Sequence, residues 1–198
     1  MSCLSHGIHG EIVRGWPAED LARFLPGQFR HTPETGSTND DLLAKARAGE
    51  ITSLELLATD YQTSGRGRRG DRWEAARGRN LLFSLALPLD SPRDTWSRLP
   101  HLTAALLGSA IEGILGSGHR LQAKWPNDLL YEGRKLAGIL VEITLKPQPV
   151  AIVGIGVNVN LRANEFPPAL RDLATSLYEI AGCESSRWFL LGLVLQKK

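Results

Sequence analysis

Apolar residues along this chain recur with a helical period in some segments and form strand-like runs in others. In Trp96–Leu115 they recur at three- and four-residue steps, which predicts the longest helix of the protein. Val150–Val159 is a nearly continuous β-branched run, which predicts a buried strand. Because segments of both kinds alternate along the chain, the pattern predicts a mixed sheet with helices packed on it.

The same pattern, read together with capping and turn residues, predicts the remaining elements. A helix is expected to begin after the cap residues Ser37–Asp41 and to end before Gly49. Further helices are predicted at Pro17–Leu25, Pro167–Ala181 and Ser185–Gln196. Strands are predicted at Leu54–Thr59, Asn80–Leu87, Leu121–Trp125, Asp128–Tyr131 and Lys135–Leu145, the last after a hairpin turn at Glu132–Arg134. No internal repeat or linker divides the chain, so we expect one domain over residues 1–198, with residues 1–16 poorly ordered.

Composition narrows the class of protein. The apolar fraction of 42% and the charged fraction of 22% are ordinary for a globular protein, and a net charge of +2 is too small for bulk nucleic-acid binding. The two cysteines lack metal-ligand spacing, and neither a signal peptide nor an apolar run of roughly 20 residues is present. The sequence therefore predicts a soluble, cytoplasmic protein.

The segment Gly65–Gly70, here called the glycine-arginine loop, carries the strongest chemical signal. It reads Gly-Arg-Gly-Arg-Arg-Gly, it follows an apolar strand, and Trp73 comes shortly after it. Glycines let the backbone approach a ligand closely, and arginines present fork-shaped donors to carboxylate and phosphate oxygens. This composition favours a loop that closes over an anionic small molecule or a nucleotide. A basic loop that touches RNA is the alternative at this point.

A second cluster of polar residues lies at Lys124-Trp125-Pro126-Asn127-Asp128. The proline interrupts the strand ladder and forces a turn, which fixes Asn127 and Asp128 at its exit. A lysine, an amide and a carboxylate at this spacing could bind phosphate, a base edge or ribose, and a metal ion respectively. A surface turn with charged residues would look the same.

The strand that begins at Lys135 combines a charged residue with a core pattern. Strand alternation places Lys135, Ala137 and Ile139 on one face, and a lysine in line with core residues needs a partner. A bound carboxylate would supply that partner, although a lysine at the strand mouth can also extend to water. Gly138 leaves room for the close approach of a ligand or another backbone.

The remaining candidate residues flank glycines or a helix cap. Gly154 and Gly156 form a G-x-G without a third glycine or a following helix, so they suit a wall against which a flat ring lies, not a dinucleotide fingerprint. Asn158 and Asn160 share strand parity, so one face could hold both amides. Ser37-Thr38-Asn39 offers several donors and acceptors, although a helix cap alone explains it. No Ser/His/Asp or Cys/His set is evident.

Taken together and in this order, these segments resemble the catalytic domain of biotin protein ligases, the enzymes that attach biotin to acetyl-CoA carboxylase. The resemblance extends from about residue 20 to about residue 190 and depends on five motifs at sensible spacing. They are Glu34–Asp40, Gln62–Gly70 with Trp73, Lys124–Asp128, Lys135–Glu142 and Gly154–Asn158. The resemblance implies an α+β fold with a mixed, largely antiparallel sheet flanked by helices, as in class II aminoacyl-tRNA synthetases and biotin synthetases.

The resemblance also implies roles for individual residues. The residues implied to bind biotin are Ser37, Thr38, Asn39, Gln62, Arg66, Gly67, Arg68, Lys135 and Gly138. Those implied to border the nucleotide are Arg69, Trp73, Asn127 and Asn158, and Asp128 is implied to hold Mg²⁺. The residues implied to act on the reacting groups are Arg66, Arg68, Lys124 and Lys135.

The implied reaction has two steps, with ATP and biotin as substrates and Mg²⁺ as the metal. Biotin and ATP form biotinyl-5′-AMP, and a lysine of the biotin carboxyl carrier domain of acetyl-CoA carboxylase then receives the biotin. Two alternatives remain: a biotin-binding module with impaired transfer, and a lipoate or octanoate ligase of the same fold. The resemblance also makes a homodimer plausible, whereas binding to DNA or a membrane is not expected.

The chain departs from the family pattern in a few places. Ser64 stands where alanine is common, and Asp71 stands where a basic residue is common. Only 36 residues precede Ser37, so the helix-turn-helix domain of repressor-type ligases is not expected. No residues remain after the catalytic domain for the small β-rich C-terminal domain, so we expect reduced activity.

Overall fold

The computed structural model describes residues 28–196, and its centre is a seven-stranded sheet. The strands are β1 Gln28–Thr32, β2 Glu55–Thr59, β3 Asn80–Pro88, β4 Gln122–Lys124, β5 Asp128–Tyr131, β6 Arg134–Thr144 and β7 Val150–Asn158. Their order across the sheet is β1-β2-β3-β7-β6-β5-β4. β1 and β2 are parallel and the other neighbours are antiparallel, so the predicted mixed, largely antiparallel sheet is confirmed.

The helices cover both faces of this sheet. They are α1 Thr38–Arg47, α2 Leu99–Leu115, α3 Leu177–Ala181 and α4 Arg187–Gln196. Short 3₁₀ turns lie at Arg68–Gly70, Arg93–Arg98, Ala163–Glu165 and Pro168–Leu170. Within residues 28–196, no helix is long and apolar enough to cross a membrane.

Alternation along the central strand β7 determines where the core ends and an open space begins. One face of β7 packs into a large apolar cluster with α2 and α4. On the other face, Val150 and Ile152 pack with α1, and the next two positions on that face are Gly154 and Gly156. Because these glycines carry no side chain, the apolar layer under α1 gives way to an open space at this end of the sheet.

Local signals explain the elements that the sequence predicts well. The Ser37 side chain accepts from the Asp40 backbone N–H, as expected of an N-cap, and Gly49 follows α1 with φ of 77°. Glu132 and Gly133 have φ of 48° and 79°, the positive values that a tight hairpin between β5 and β6 requires. The predicted helix α1 and the predicted hairpin are therefore confirmed.

Two predicted elements differ from the structure. The helix predicted over Pro167–Ala181 is wrong, because its middle pairs with β6: Lys135 N–H donates to Leu173 O at 2.7 Å, and Thr175 N–H donates to Lys135 O at 2.9 Å. Within that range, Pro168–Leu170 forms a 3₁₀ turn and the α-helix is limited to the short α3, after the N-cap Ser176. Strand β1 was not predicted, because Phe29 is its single apolar residue and a partly exposed edge strand needs no apolar alternation. The predicted helix Pro17–Leu25 lies outside the described residues.

The α1 face of the core gives a test of this packing. Leu42 of α1 is fully buried, and its replacement in Leu42→Ala is expected to lower the free energy of unfolding by about 2–5 kcal/mol, because it leaves a cavity. Urea denaturation measures this change. The matched control is Leu102→Ala on α2, where the side chain is 58% exposed, and a change within about 0.5 kcal/mol is expected. Equal losses in both variants would contradict the packing described.

Candidate active site

A cavity of about 440 Å³ opens where the glycines of β7 interrupt the apolar layer. The glycine-arginine loop, the N-terminus of α1, the Lys124–Asp128 turn and the central strands enclose it. Fourteen of the residues predicted to form the site line this cavity, namely Ser37, Thr38, Asn39, Gln62, Arg66, Gly67, Arg68, Arg69, Trp73, Lys124, Asn127, Asp128, Lys135 and Gly138. Segments far apart in sequence thus meet in one place.

Three glycines form the floor of the cavity. Gly138 of β6 lies opposite Gly156 of β7, and Gly154 follows on the same face. A Cβ atom on Gly138 or Gly156 would lie 2.8 or 2.6 Å from the indole of Trp73, and one on Gly154 would lie 2.2 Å from Asn39 Oδ1. The sequence predicts a wall for a flat ring, and here that ring is the Trp73 indole. Its buried N–H has no acceptor among the described residues.

The start of α1 contributes a buried polar network. Ser37, Thr38 and Asn39 are each at most 4% exposed. Thr38 N–H donates to Gln62 Oε1 at 2.8 Å, and Thr38 Oγ1 lies 2.6 Å from Ser84 Oγ. Ser84 in turn donates to Asn39 Oδ1 at 2.6 Å. Because these hydrogen bonds link neighbouring side chains to one another, they fix the orientation of the donors and acceptors at one end of the cavity.

Arg66 lies at the mouth of the cavity between two carboxylates. Its Nη2 is 2.5 Å from Asp40 Oδ1 and 2.9 Å from Glu142 Oε2. Burial lowers the pKa of Arg66, but hydrogen bonds to Asp40 and Glu142 outweigh this effect, so its pKa is raised above the ordinary value. The guanidinium is therefore charged at every accessible pH and is held by protein carboxylates.

Lys135 and Asp128 form a second ion pair inside the cavity. Lys135 Nζ lies 2.8 Å from Asp128 Oδ1 and 5.4 Å from the centroid of the Trp73 ring. The predicted alternation from Lys135 to Ile139 is wrong at its start, because the β5–β6 register shifts opposite Leu129 and Leu130. This bulge lets Lys135 reach over Gly138, where its Nζ lies 3.4 Å from the position of an added Cβ, instead of facing the core.

The third group of polar residues comes from the turn before β5. Arg68 Nη1 donates to Asn127 Oδ1 at 3.5 Å, and Asn127 Nδ2 donates to Ile139 O at 3.1 Å. Lys124 is exposed at the end of β4 and borders the same cavity. Arg69 adopts a left-handed φ of 56° inside the 3₁₀ turn of the glycine-arginine loop.

The carboxylates near the cavity determine which kind of metal ion could bind there. Among residues 28–196, no group of three or more His, Cys, Asp or Glu side chains could hold a metal ion. Asp128 offers a carboxylate of the kind that Mg²⁺ uses, since this ion commonly binds one or two protein carboxylates and takes its other ligands from phosphate oxygens and water. The donor set therefore fits an ion that arrives with a phosphate-bearing ligand.

Asn158, which the sequence predicts at the nucleotide, does not line the cavity. It shares the face of Gly154 and Gly156, but its Oδ1 accepts from Asn80 at 2.9 Å and its Nδ2 donates to Thr175 O at 3.0 Å. These bonds hold the segment after β7 against the sheet. The side chain is thus occupied in buried contacts with the protein, and Asn160 likewise bonds to Ser185.

Three residues that contribute to the site received no role from the sequence. Ser84 connects Thr38 to Asn39, and Asp40 and Glu142 hold Arg66. A serine inside an apolar strand is a visible irregularity, and so is a glutamate near the end of one. Asp40 gave no such signal, because an acidic residue in the first turn of a helix is explained by the helix dipole.

The mixed, largely antiparallel sheet flanked by helices is the α+β fold of the class II aminoacyl-tRNA synthetases and biotin protein ligases. Residues 32–160 match the family described as biotin/lipoate A/B protein ligase. The chain belongs to this family.

Individual relatives lie in the biotin branch of the family. The chain is 40% identical over 143 residues to the bifunctional ligase/repressor BirA of Bacillus subtilis, an alignment that covers 71% of this chain and 42% of that protein. It is 38% identical over 149 residues to the biotin--[acetyl-CoA-carboxylase] ligase of Mycobacterium tuberculosis, covering 74% and 53%. The chain thus spans about half the length of these curated relatives.

A solved structure agrees with these sequence relatives. The biotin protein ligase from Aquifex aeolicus in complex with biotin and ATP superimposes with a TM-score of 0.72 at 32% identity. The match covers 85% of this chain and 67% of that one. The resemblance to biotin protein ligases and the predicted fold class are therefore confirmed.

The glycine floor gives a second prediction. Gly154→Ala is expected to lower the free energy of unfolding by about 1–3 kcal/mol, because its methyl group would lie 2.2 Å from Asn39 Oδ1 and displace that amide. Gly113→Ala on the exposed side of α2 is the control, since nothing lies within 4 Å of its added methyl group. The control should be neutral or stabilising by up to about 1 kcal/mol. Chemical denaturation that ranks the two variants in the opposite order would refute this account of Gly154.

Proposed function

We propose that this chain is the catalytic part of an ATP-dependent biotin protein ligase. It would join biotin and ATP into biotinyl-5′-AMP and then transfer biotin to a lysine of the carrier domain of acetyl-CoA carboxylase. The observation that supports this most strongly is a cavity with a fixed polar network at one end and cationic side chains at the other. Such a cavity suits one molecule with a neutral polar ring and a carboxylate tail.

The polar end of the cavity would bind the ureido ring of biotin. Thr38 and Gln62 supply a hydroxyl and a carboxamide, and Asn39 adds an amide held by Ser84. A ureido group has both N–H donors and a carbonyl acceptor, so it needs protein groups of both kinds. Gly138 leaves room for the Trp73 indole that borders this space, and Ser37 caps the helix start that carries the network.

The charged end would hold the carboxylate of biotin beside the α-phosphate of ATP. Two anions must be brought together there, and Arg68, Lys124 and Lys135 provide positive charge around the cavity. The biotin carboxylate would compete with Asp128 for Lys135. Asp128 would then be available to Mg²⁺, which when bound offsets phosphate charge.

The chemistry needs no nucleophile from the protein. A carboxylate oxygen of biotin attacks the α-phosphorus of ATP, the bond to the β-phosphate bridging oxygen breaks, and pyrophosphate leaves. The carrier lysine amine then attacks the carbonyl carbon of the mixed anhydride, and AMP leaves as the amide forms. The closed glycine-arginine loop would keep water from the anhydride between these steps.

The nucleotide would lie between the loop and the Lys124–Asp128 turn. Trp73 offers an aromatic face and an unpaired indole N–H, and Asn127 and Arg69 border the same space. Because Asn158 is committed to Asn80 and Thr175, we do not include it among the nucleotide ligands.

The wider organisation is part of the same proposal. We treat residues 1–198 as one catalytic domain of a cytoplasmic enzyme, with the biotin carboxyl carrier domain as its protein partner. The homodimer and the lack of DNA binding stay predictions.

The direct test is to mix the protein with biotin, MgATP and an acetyl-CoA carboxylase carrier fragment. Carrier that streptavidin detects supports the ligase. Biotinyl-5′-AMP without transfer favours a biotin-binding module with impaired transfer. Activation of lipoate or octanoate in place of biotin would reject the biotin assignment in favour of the other branch of the family.

Lys135 provides a sharper test of the charged end. Lys135→Met keeps much of the side-chain length but removes the charge, so biotin-dependent exchange of pyrophosphate into ATP is expected to fall by about 10²–10³-fold. Lys146→Met, at an exposed position in the hairpin between β6 and β7, is the control and should keep the wild-type rate. Equal rates for the two variants would remove Lys135 from the mechanism.

A further inference from the structure

Among the side-chain contacts that join the glycine-arginine loop to the rest of the protein, those of Arg66 are the shortest. Its internal bonds, such as Gly67 N–H to Asp71 O at 2.7 Å, give the loop its own shape but do not hold it over the cavity. The ion pairs from Arg66 to Asp40 and Glu142 are 2.5 and 2.9 Å long. By contrast, the bond from Arg68 to Asn127 is 3.5 Å long. The Arg66 contacts are therefore the ones able to fix the loop in its closed position.

The two carboxylates that hold Arg66 come from separate parts of the fold. Asp40 lies in the first turn of α1, and Glu142 lies in β6 opposite Ile152 of β7. One guanidinium thus joins the loop to a helix and to the central sheet at the same time. All three side chains are partly exposed, at 38% for Arg66, 49% for Asp40 and 25% for Glu142. We call Arg66, Asp40 and Glu142 together the clamp. Because partly exposed ion pairs are individually weak, the clamp can open when ligands enter and leave.

Glu142 also connects the clamp to the interior of the cavity. Its Oε2 accepts from Asn39 Nδ2 at 2.9 Å, while Asn39 Oδ1 accepts from Ser84. These two partners define which side of the Asn39 amide is the donor and which is the acceptor. The same carboxylate therefore contacts the residue that closes the loop and the residue that presents an amide to the cavity.

We infer that Asp40 and Glu142 are positioning residues that hold the glycine-arginine loop closed through Arg66, and that Glu142 also orients Asn39. In this arrangement Arg66 is the latch, that is, the residue that holds the loop closed. The cations that remain to bind the ligand anions are Arg68, Lys124 and Lys135. The inference rests on the proposed function only in naming the ligand that the closed loop retains, which is biotinyl-5′-AMP. The clamp would set how long this water-sensitive anhydride stays in the cavity.

The first measurement needs no ligand. Hydrogen exchange of backbone amides 65–72 is compared in the wild type, Asp40→Asn and Glu142→Gln. Loss of one carboxylate charge should speed exchange by about threefold to tenfold, because one charge-assisted contact on Arg66 is weakened. The control is Glu184→Gln, which breaks a similar exposed pair with Arg79 at 2.8 Å, remote from the loop. Exchange that is unchanged in both clamp variants, or raised equally in the control, overturns the inference.

A double-mutant cycle then tests whether the carboxylates act through Arg66. In an Arg66→Met background, Glu142→Gln should produce no further increase in loop exchange, since the guanidinium that it held is gone. Additive increases would mean that Glu142 affects the loop by another route, and the latch role would be rejected. Thermal denaturation of the same variants identifies any that lose the fold.

The third measurement uses the ligand and separates the two roles of Glu142. Glu142→Gln keeps an oxygen that can accept from Asn39, whereas Glu142→Ala removes it. Both variants should release added biotinyl-5′-AMP about threefold to tenfold faster than the wild type, and Glu142→Ala alone should also raise the KM for biotin with little change in kcat. Equal KM values would refute the orientation of Asn39. A wild type that binds no adenylate would instead refute the proposed function, while the exchange result still decides the clamp.

Discussion

The absence of side chains at three positions of the central sheet is the constraint on which the site depends. Gly154 and Gly156 continue the face of β7 on which Val150 and Ile152 pack under α1, and Gly138 lies opposite Gly156. Any Cβ there would collide with Trp73 or Asn39. The lack of these three Cβ atoms therefore accounts for the cavity, for the indole on its floor and for the amide at its polar end. The surrounding core is close-packed and keeps the space open.

Two of the cations that line the cavity are paired with carboxylates of the protein itself. Arg66 is paired with Asp40 and Glu142, and Lys135 is paired with Asp128. Pairing lowers the cost of holding like charges close together before a ligand arrives. An anionic ligand must then compete with these carboxylates, so part of its Coulombic attraction is offset. This favours ligands that make additional contacts with the glycine floor and the polar network.

The sequence was informative wherever a local rule determines the outcome. The cap at Ser37, the hairpin at Gly133 and the apolar run of β7 each depend on short-range chemistry, and each is confirmed. Where long-range pairing overrides local preference, prediction fails. The helix expected over Pro167–Ala181 is interrupted because its middle pairs with β6, and Lys135 leaves its expected face because of a bulge. Asn158 has the expected parity, but the segment that follows β7 folds back over it and accepts a hydrogen bond at Thr175 O.

The register of β6 on β7 has a consequence far from the cavity. Gly138 faces Gly156 only because the hairpin that joins the two strands, residues 145–149, has its present length. Since side chains alternate with a period of two, a shift of one residue would exchange the two faces of β6 and bring a bulky neighbour onto the floor. An exposed turn at the opposite end of the strands thus tolerates substitution more readily than insertion or deletion. The length of this turn therefore affects the shape of the cavity, although none of its residues lines the cavity.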